Sequence, residues 1–192
     1  MSSRVALGDI CEFTRGASVP RARMYDAGDY LYIHYGDLYR GFTTRIDVES
    51  PQKKIPYILS SEKIRPTQFL HDQDIVCVLT SETIDDLGHT YLLNNPRGKH
   101  VVSGTETTIL RVKQCDTVIP AYLNYIMQTP RFKTALRQYV RGMKVFRVHP
   151  DDLSRIEISL PSVGEQQRVV AMMDAILEKQ LVNDRLNDYL AA

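Results

Sequence analysis

Over most of the 192 residues, apolar positions alternate in twos or gather in short runs, and only near the end do they settle into a helical period. From Tyr30 to Tyr35 the alternation puts Leu31, Ile33 and Tyr35 on one face and Tyr30, Tyr32 and His34 on the other, the pattern of a half-buried strand. Asp74 to Thr80 is a continuous apolar run (Ile75, Val76, Cys77, Val78, Leu79), which predicts a strand buried on both faces. Leu7 to Arg15, Tyr91 to Leu93, His100 to Val102 and Thr107 to Val112 predict further strands between turn residues. A last strand carries Ile156, Ile158 and Leu160. Pro120 and Pro130 stand where first helical positions would be, so helices follow over 120–128 and 130–140, with Gly142 ending them. Ala17 to Arg23 reads as a polar, basic loop and Gly36 to Gly41 as an outward turn; the stretch from Pro51 to Pro66 has no clear period.

The final stretch behaves differently. Pro161 ends the last strand, and Ser162 with Glu165 reads as a capping box, the Ser162 hydroxyl accepting from the Glu165 amide while the carboxylate reaches back. From Glu165 to Leu190 there is neither proline nor glycine. Val169, Val170, Met172, Met173, Ile176, Leu177, Leu181, Leu186 and Leu190 recur at helical spacing. About 27 residues at this rise span roughly 40 Å, more than a compact body of this size needs. Such a stripe packs either on its own domain or on a helix of another chain, and its full length favours the second. Asn183 and Asp184 fall between apolar positions, where a polar residue can set register. The expected class is therefore α+β: a β-rich globular domain with short helices over 1–160, then one long C-terminal helix over 161–192 that packs in an antiparallel coiled coil.

Composition sharpens this only in places. With 43% hydrophobic and 24% charged residues the chain can bury a core and is not of disordered composition. No apolar run reaches the 18 or so residues of a membrane span, and the residues after Met1 lack the apolar centre of a secretory signal. Cys11, Cys77 and Cys115 match neither a zinc nor a disulfide spacing, so they are expected as buried thiols in a reducing cytoplasm. The net charge of +1 hides an asymmetry: residues 151–192 hold eight acids and four bases, leaving fifteen acids and twenty bases for the rest. A moderately basic body carries an acidic helix. Local positive charge, more than a high total, is what phosphate binding requires.

The segment SLPSVGEQQRVVAMMDAILEKQLVNDRLNDYL, with a leucine-proline turn and a Glu165–Gln166 pair opening the helix, resembles the specificity subunits of type I restriction-modification enzymes. It is similar to their junction between a target-recognition domain and a spacer helix. Leu7 to Pro20 (LGDICEFTRGASVP) resembles the family's opening, so the resemblance brackets the chain. Full-length members carry two recognition domains and two spacer helices; this chain has room for one of each and resembles a half-subunit. The resemblance implies a DNA-recognition subunit without catalysis that pairs with a second copy and reads a bipartite site. The implied partners are double-stranded DNA, modification (methyltransferase) subunits and a restriction subunit. S-adenosylmethionine, ATP and magnesium would belong to those partners.

The residues themselves show no catalytic motif. There is no Walker-type phosphate loop and no G-x-G-x-x-G, and Asn95-Pro96 continues as Arg-Gly without the aromatic that would stack a flipped base. Glu82, Asp85 and Asp86 could hold a divalent ion, but a solvated loop is the simpler reading. The basic set is stronger: between Asp116 and Asp151 there is no acid, yet Arg131, Lys133, Arg137, Arg141, Lys144 and Arg147 are present. Arg141, Gly142, Lys144 and Arg147 form a glycine-hinged basic loop suited to phosphates; an ordinary solvated face is the alternative. Base edges are read by arginine on guanine, by amides on adenine and by carboxylates on cytosine. Candidates are Arg15, Arg21, Arg23, Arg40, Glu82, Lys99 and Gln138. By resemblance, recognition uses the loop after the first strand (with Ser18), the loop after the central strand (Thr80 to Thr83, with Ser81, Glu82 and Thr83 as candidates) and the loop Arg141 to Arg147. Tyr35 and Tyr39 are candidates for sugar or thymine-methyl contacts, with core packing the alternative for Tyr35. The candidate dimerisation residues are Val169, Met173, Ile176, Leu177, Leu181, Leu186 and Leu190. A non-catalytic adaptor or decoy that occupies modification subunits without reading DNA, or a free-standing nuclease, are the competing classes.

Overall fold

The computed structural model describes residues 3–39 and 41–191. Its middle layer is a five-stranded sheet in the order Cys11–Arg15, Thr107–Val112, Ile75–Val78, His89–Asn94, Arg45–Asp47; all neighbours are antiparallel except the last pair, which is parallel. Ile75–Val78 lies at its centre and is buried along its whole length. Its side chains alternate: Ile75 and Cys77 face one core, Val76 and Val78 the other. That is why the run is apolar at every position instead of at every second one.

The first core lies between the sheet and the helices. Pro120–Met127 and Pro130–Arg137 each begin on a proline, and Thr129 caps the second by accepting from the Phe132 amide. Leu123, Met127, Phe132 and Leu136 point inward and pack over Cys77, Leu92 and Leu110. Each such fully buried aliphatic side chain contributes about 2 kcal/mol, and Leu123→Ala would cost about 2–5 kcal/mol because little can collapse into the space.

The second core joins the main sheet to a four-stranded one, ordered Tyr57–Ile58, Tyr30–Ile33, Val101–Ser103, Phe69–Leu70. Leu31, Ile33 and Val101 fill it. The other face of this sheet is covered too: Tyr32, Ile58 and Val102 meet Ala17 and Val19 in a third, smaller core. The segment expected as a polar basic loop thus buries two apolar residues before its one-turn 3-10 helix, Arg21–Arg23. For the same reason Tyr30–Ile33 is buried on both faces rather than half-buried.

Several expected elements differ. The single strand from Leu7 to Arg15 is instead a strand Ser3–Ala6, one helical turn Leu7–Ile10 and a strand Cys11–Arg15. Gly36 to Gly41 does not turn outward: Tyr35–Leu38 is a helical turn that buries Leu38. The unassigned stretch contains the edge strand Tyr57–Ile58. The second of the paired helices ends at Arg137, before Gly142. Of the three thiols, Cys11 and Cys77 are buried but Cys115 is exposed, because the turn that holds it leaves the sheet after Val112.

Ser3–Ala6 pairs antiparallel with Glu157–Leu160, closing the body. Directly after it runs the helix Val163–Ala191. The Glu165 carboxylate reaches back to the Ser162 amide at 3.0 Å, as a capping box requires, but the Ser162 hydroxyl donates to that carboxylate at 2.7 Å instead of accepting from the Glu165 amide. Gln166 is wholly buried and ties the turn before Pro120 to the one at Pro161: its carbonyl accepts from the Ile119 amide, and its amide donates to the Thr117 and Pro161 carbonyls. Val169, Val170, Met173, Asp174 and Leu177 are part-buried, and Val170 packs on the first core. Past Leu177, the face of Met172 and Ile176 continues as Val182, Leu186, Tyr189 and Leu190, while Leu181 follows the Leu177 face; all of these are exposed. The first half of the helix therefore lies on its own domain, and the second half carries an uncovered apolar stripe. No helix among the described residues is long and apolar enough to cross a membrane.

Candidate functional site

At the edge of the main sheet three stretches far apart in sequence meet. The strand Cys11–Arg15 delivers Arg15 and then Gly16 and Ser18. The central strand continues through Leu79 into Thr80–Ser81, which pairs antiparallel with Phe146–Arg147. That second pair belongs to a finger closed on itself: the Arg141 amide donates to Arg147 at 2.9 Å and the Arg147 amide returns to Arg141 at 2.8 Å. Gly142 turns this finger at φ +108°, and a Cβ there would sit 2.1 Å from the Val145 carbonyl, so only glycine fits. The finger exposes Met143 almost completely.

These stretches line two adjoining recesses. The first, of about 590 Å³, is walled by Arg15, Ser18, Thr80, Arg141, Arg147 and His149. The second, of about 650 Å³, is walled by Arg21, Tyr35, Tyr39, Ser81, Glu82 and Thr83. Thr80, Glu106 and Arg147 belong to both. Ten of the fourteen residues nominated from the sequence thus lie on one concave surface.

Most of the cations there are held in place. Arg15 lies 2.8 Å from Nε2 of His149. Arg141 donates to the buried Asp152 at 3.0 Å. Arg21 sits 3.4 Å from Nδ1 of His34, which also accepts from the Gly36 amide at 3.1 Å and so caps the turn Tyr35–Leu38. Burial and the neighbouring Arg21 hold His34 below its ordinary pKa, keeping the ring neutral and able to accept. Tyr35 packs on the His34 ring with centroids 4.7 Å apart. The Tyr39 hydroxyl is buried and its pKa pushed up by that burial, so this side chain offers the recess its ring, not its hydroxyl.

The loop behind the recesses is organised by one buried phenol. Tyr32 donates to the Ala17 carbonyl at 2.7 Å and accepts from the amides of Val19 at 3.1 Å and Thr105 at 2.9 Å. Gly104 passes so close that a Cβ would lie 2.4 Å from the Ile33 carbonyl. The turn that follows holds Glu106 at φ +59°.

Four nominated residues lie elsewhere. Arg23 pairs with Glu62 at 3.2 Å, and Lys99 pairs with Glu49 at 3.1 Å while donating to the Val48 carbonyl, so both are committed to the body. Lys144 is exposed on the finger beyond the recess walls, and Arg40 lies outside the described residues. Gln138 lines a separate groove beside Tyr122 and Phe132. Of Glu82, Asp85 and Asp86, two are engaged elsewhere: Asp86 accepts from Thr83 and Ser81, and Asp85 pairs with Arg137. Among the described residues no group of three or more His, Cys, Asp or Glu side chains is placed to hold a metal ion. Thr80 and Met143 lie within the two loops named from the sequence, whereas Glu106 and His149 were missed. His149 precedes a proline that opens a helical turn, which is a local signal; Glu106 has none beyond the nearby Gly104.

The chain was compared with known proteins. A family model described as type I restriction modification DNA specificity domain matches residues 3–190. No curated protein matches. Among solved structures, a chain from work on complex assembly and conformational transition of the type I R-M system is similar at TM-score 0.66 and 20% identity, over 96% of this chain and 40% of that one. The HsdS subunit from Thermoanaerobacter tengcongensis aligns at TM-score 0.62 and 20% identity, over 96% and 39%. The type I restriction-modification system S subunit from M. genitalium aligns at 0.61 and 11%, over 95% and 40%. The chain spans about 40% of the length of the solved structures it matches.

Proposed function

Since the chain belongs to the family of type I restriction modification DNA specificity domains, we propose that it recognises one half of a bipartite duplex DNA target and carries no catalysis of its own. The observation that carries this reading is the meeting of Arg15, Arg21, Ser81 to Thr83, Arg141 and Arg147 around two joined recesses. Arginines fixed by His149, Asp152 and His34 suit phosphates or guanine edges, and the hydroxyls and carboxylates between them suit base edges. Residues 1–160 act as the recognition body, and 161–192 as the spacer that pairs with another copy.

The exposed stripe Met172, Ile176, Val182, Leu186 and Leu190 supports that pairing, since apolar residues in this number are seldom left to water. A two-fold homodimer reads an inverted repeat, with the helices setting the gap between half-sites. Modification subunits bind this scaffold and methylate adenine with S-adenosylmethionine, and a restriction subunit using ATP and magnesium joins them. The complex works in the cytoplasm. A second reading, an adaptor or decoy that engages modification subunits through the helix alone, draws on the same uncovered stripe.

Long-read mapping of adenine methylation with and without the gene tests the reading, together with salt-dependent binding of the purified chain to duplex DNA. Loss of a symmetric split motif is the expected result, and an asymmetric one means a different half-subunit as partner. No motif lost, together with binding that ignores neutral substitutions at Arg141, Lys144 and Arg147, favours the decoy and overturns recognition.

A further inference from the structure

Glu106 is an acid at the centre of a basic surface. It lines both recesses, among Arg15, Arg21, Arg141 and Arg147. Among the described residues its carboxylate makes no hydrogen bond and no ion pair, although the four guanidinium groups of Arg15, Arg21, Arg141 and Arg147 share those walls. Of the neighbouring acids, Asp86 accepts from Ser81 and Thr83 and Asp152 holds Arg141, while Glu82 lines only the second recess, away from Arg15 and Arg141. Glu106 is exposed, and its backbone sits at φ +59°, a conformation that glycine or asparagine adopts more readily than glutamate. The surroundings enforce it. The Tyr32 hydroxyl receives the Thr105 amide on one side, and Thr107 closes onto Gly104 on the other, its hydroxyl at 2.6 Å from the carbonyl. A strained turn held by buried partners, presenting an unpaired carboxylate, is a site where conformation serves contact rather than stability.

A free carboxylate here works against phosphate binding, because it repels the polyanion that the arginines attract. The group it suits is a donor on the edge of a base. We propose that Glu106 is a specificity-determining residue that accepts a hydrogen bond from the exocyclic amino group of a cytosine in the half-site. This rests on the DNA-recognition reading above and adds a named contact to it. The carboxylate offers only acceptors, so thymine and guanine, which present acceptors at the corresponding major-groove positions, are rejected by unpaired lone pairs facing one another. The arginines on either side then have a second effect: they offset its repulsion from the backbone.

The test is selection of duplexes from a randomised library by the purified full chain, run in parallel for wild type, Glu106→Gln and Glu106→Ala. Folding of each variant is checked by thermal denaturation; Glu106→Gly, which relieves the backbone strain, gives a variant whose loss of contact cannot be ascribed to misfolding. The expected wild-type motif contains a cytosine whose preference falls about tenfold in Glu106→Ala and Glu106→Gly. Glu106→Gln, with a donor and an acceptor, shifts that position toward adenine. Binding to random DNA tightens in all three variants because one negative charge is gone. A wild-type motif that survives unchanged at every position in folded variants overturns the role of Glu106 and leaves recognition standing. A wild-type library with no enriched motif overturns both.

Discussion

The Arg45 guanidinium, on the edge strand of the main sheet, lies 2.5 Å from the Asp174 carboxylate in the terminal helix, and Tyr125 donates to the same oxygen. The three groups come from an edge strand, a core-covering helix and the long helix, so they fix where the helix leaves the body. Both charged side chains are more than a third exposed, which limits the pair to about 1 kcal/mol. Asp174→Ala should lower stability by that amount and speed amide hydrogen exchange from Val169 to Leu177, leaving the central strand protected. Unchanged exchange in that segment would assign the anchoring to Gln166 and Val170 alone.

Tyr32→Phe removes one hydroxyl that serves Ala17, Val19 and Thr105 together. The site is buried, so the stranded amides and carbonyl cost about 2–3 kcal/mol. Urea denaturation measures this. Duplex binding by the variant should weaken as well, because the same hydroxyl sets the Ala17–Val19 and Thr105 loops behind the recesses.

His34 makes the body acid-sensitive in a definite direction. Its folded pKa lies below the ordinary 6.5, through burial first and the charge of Arg21 second. The neutral ring's contribution to stability is therefore complete above pH 6.5 and is lost as the pH falls from there through the folded value. Protonation would also remove the acceptor of the Gly36 amide and place two cations 3.4 Å apart. Between pH 7 and pH 5, wild type should lose more stability than His34→Asn, whose amide oxygen can still cap the turn. Equal slopes would show that His34 is indifferent to folding.

The three thiols should react unequally. Burial pushes Cys11 and Cys77 up to about 12, and neither is accessible, whereas Cys115 is exposed. A maleimide at pH 7.5 should label one site per folded chain and three after denaturation, with mass spectrometry locating the first at Cys115. Early labelling of Cys77 would mean that the central strand opens on the reaction timescale.

Arg147 and Arg23 make a matched pair of substitutions. Arg147 lines both recesses, while Arg23 is engaged with Glu62 away from them. Arg147→Ala should weaken duplex binding and reduce the slope of log affinity against log salt by about 1, and Arg23→Ala should do neither. Similar losses from both would point to diffuse attraction and not to the recesses.

Much of the architecture was legible in local pattern. Ile75 to Leu79 announced a doubly buried strand because no polar residue interrupts it, and Pro120 and Pro130 marked their helices through a rule confined to one turn. Leu7–Ile10 escaped notice because a four-residue helix shows barely one period. Tyr32 read as half-buried since the Ala17–Val19 cover comes from a segment whose charges, at Arg21 and Arg23, mask its two apolar contacts. The basic finger was legible as a run without acids, but its meeting with Arg15 and Thr80 depends on pairings across more than sixty positions. Lys99 and Arg23 looked equivalent to Arg21 until their carboxylate partners were visible. Glu106 had no signature, because its isolation from partners exists only in three dimensions.

The hydrogen-bonded register of Ser3 through Ala6 against Leu160 through Glu157 brings the points where the chain enters and leaves the body side by side. Everything between them, recesses included, is bounded by one antiparallel pair of short strands. A crossover between two genes at these strands would exchange the whole body and leave the helix untouched. On the recognition reading proposed above, target choice would then change in one recombination event, without the series of compensating core substitutions that a boundary elsewhere would demand.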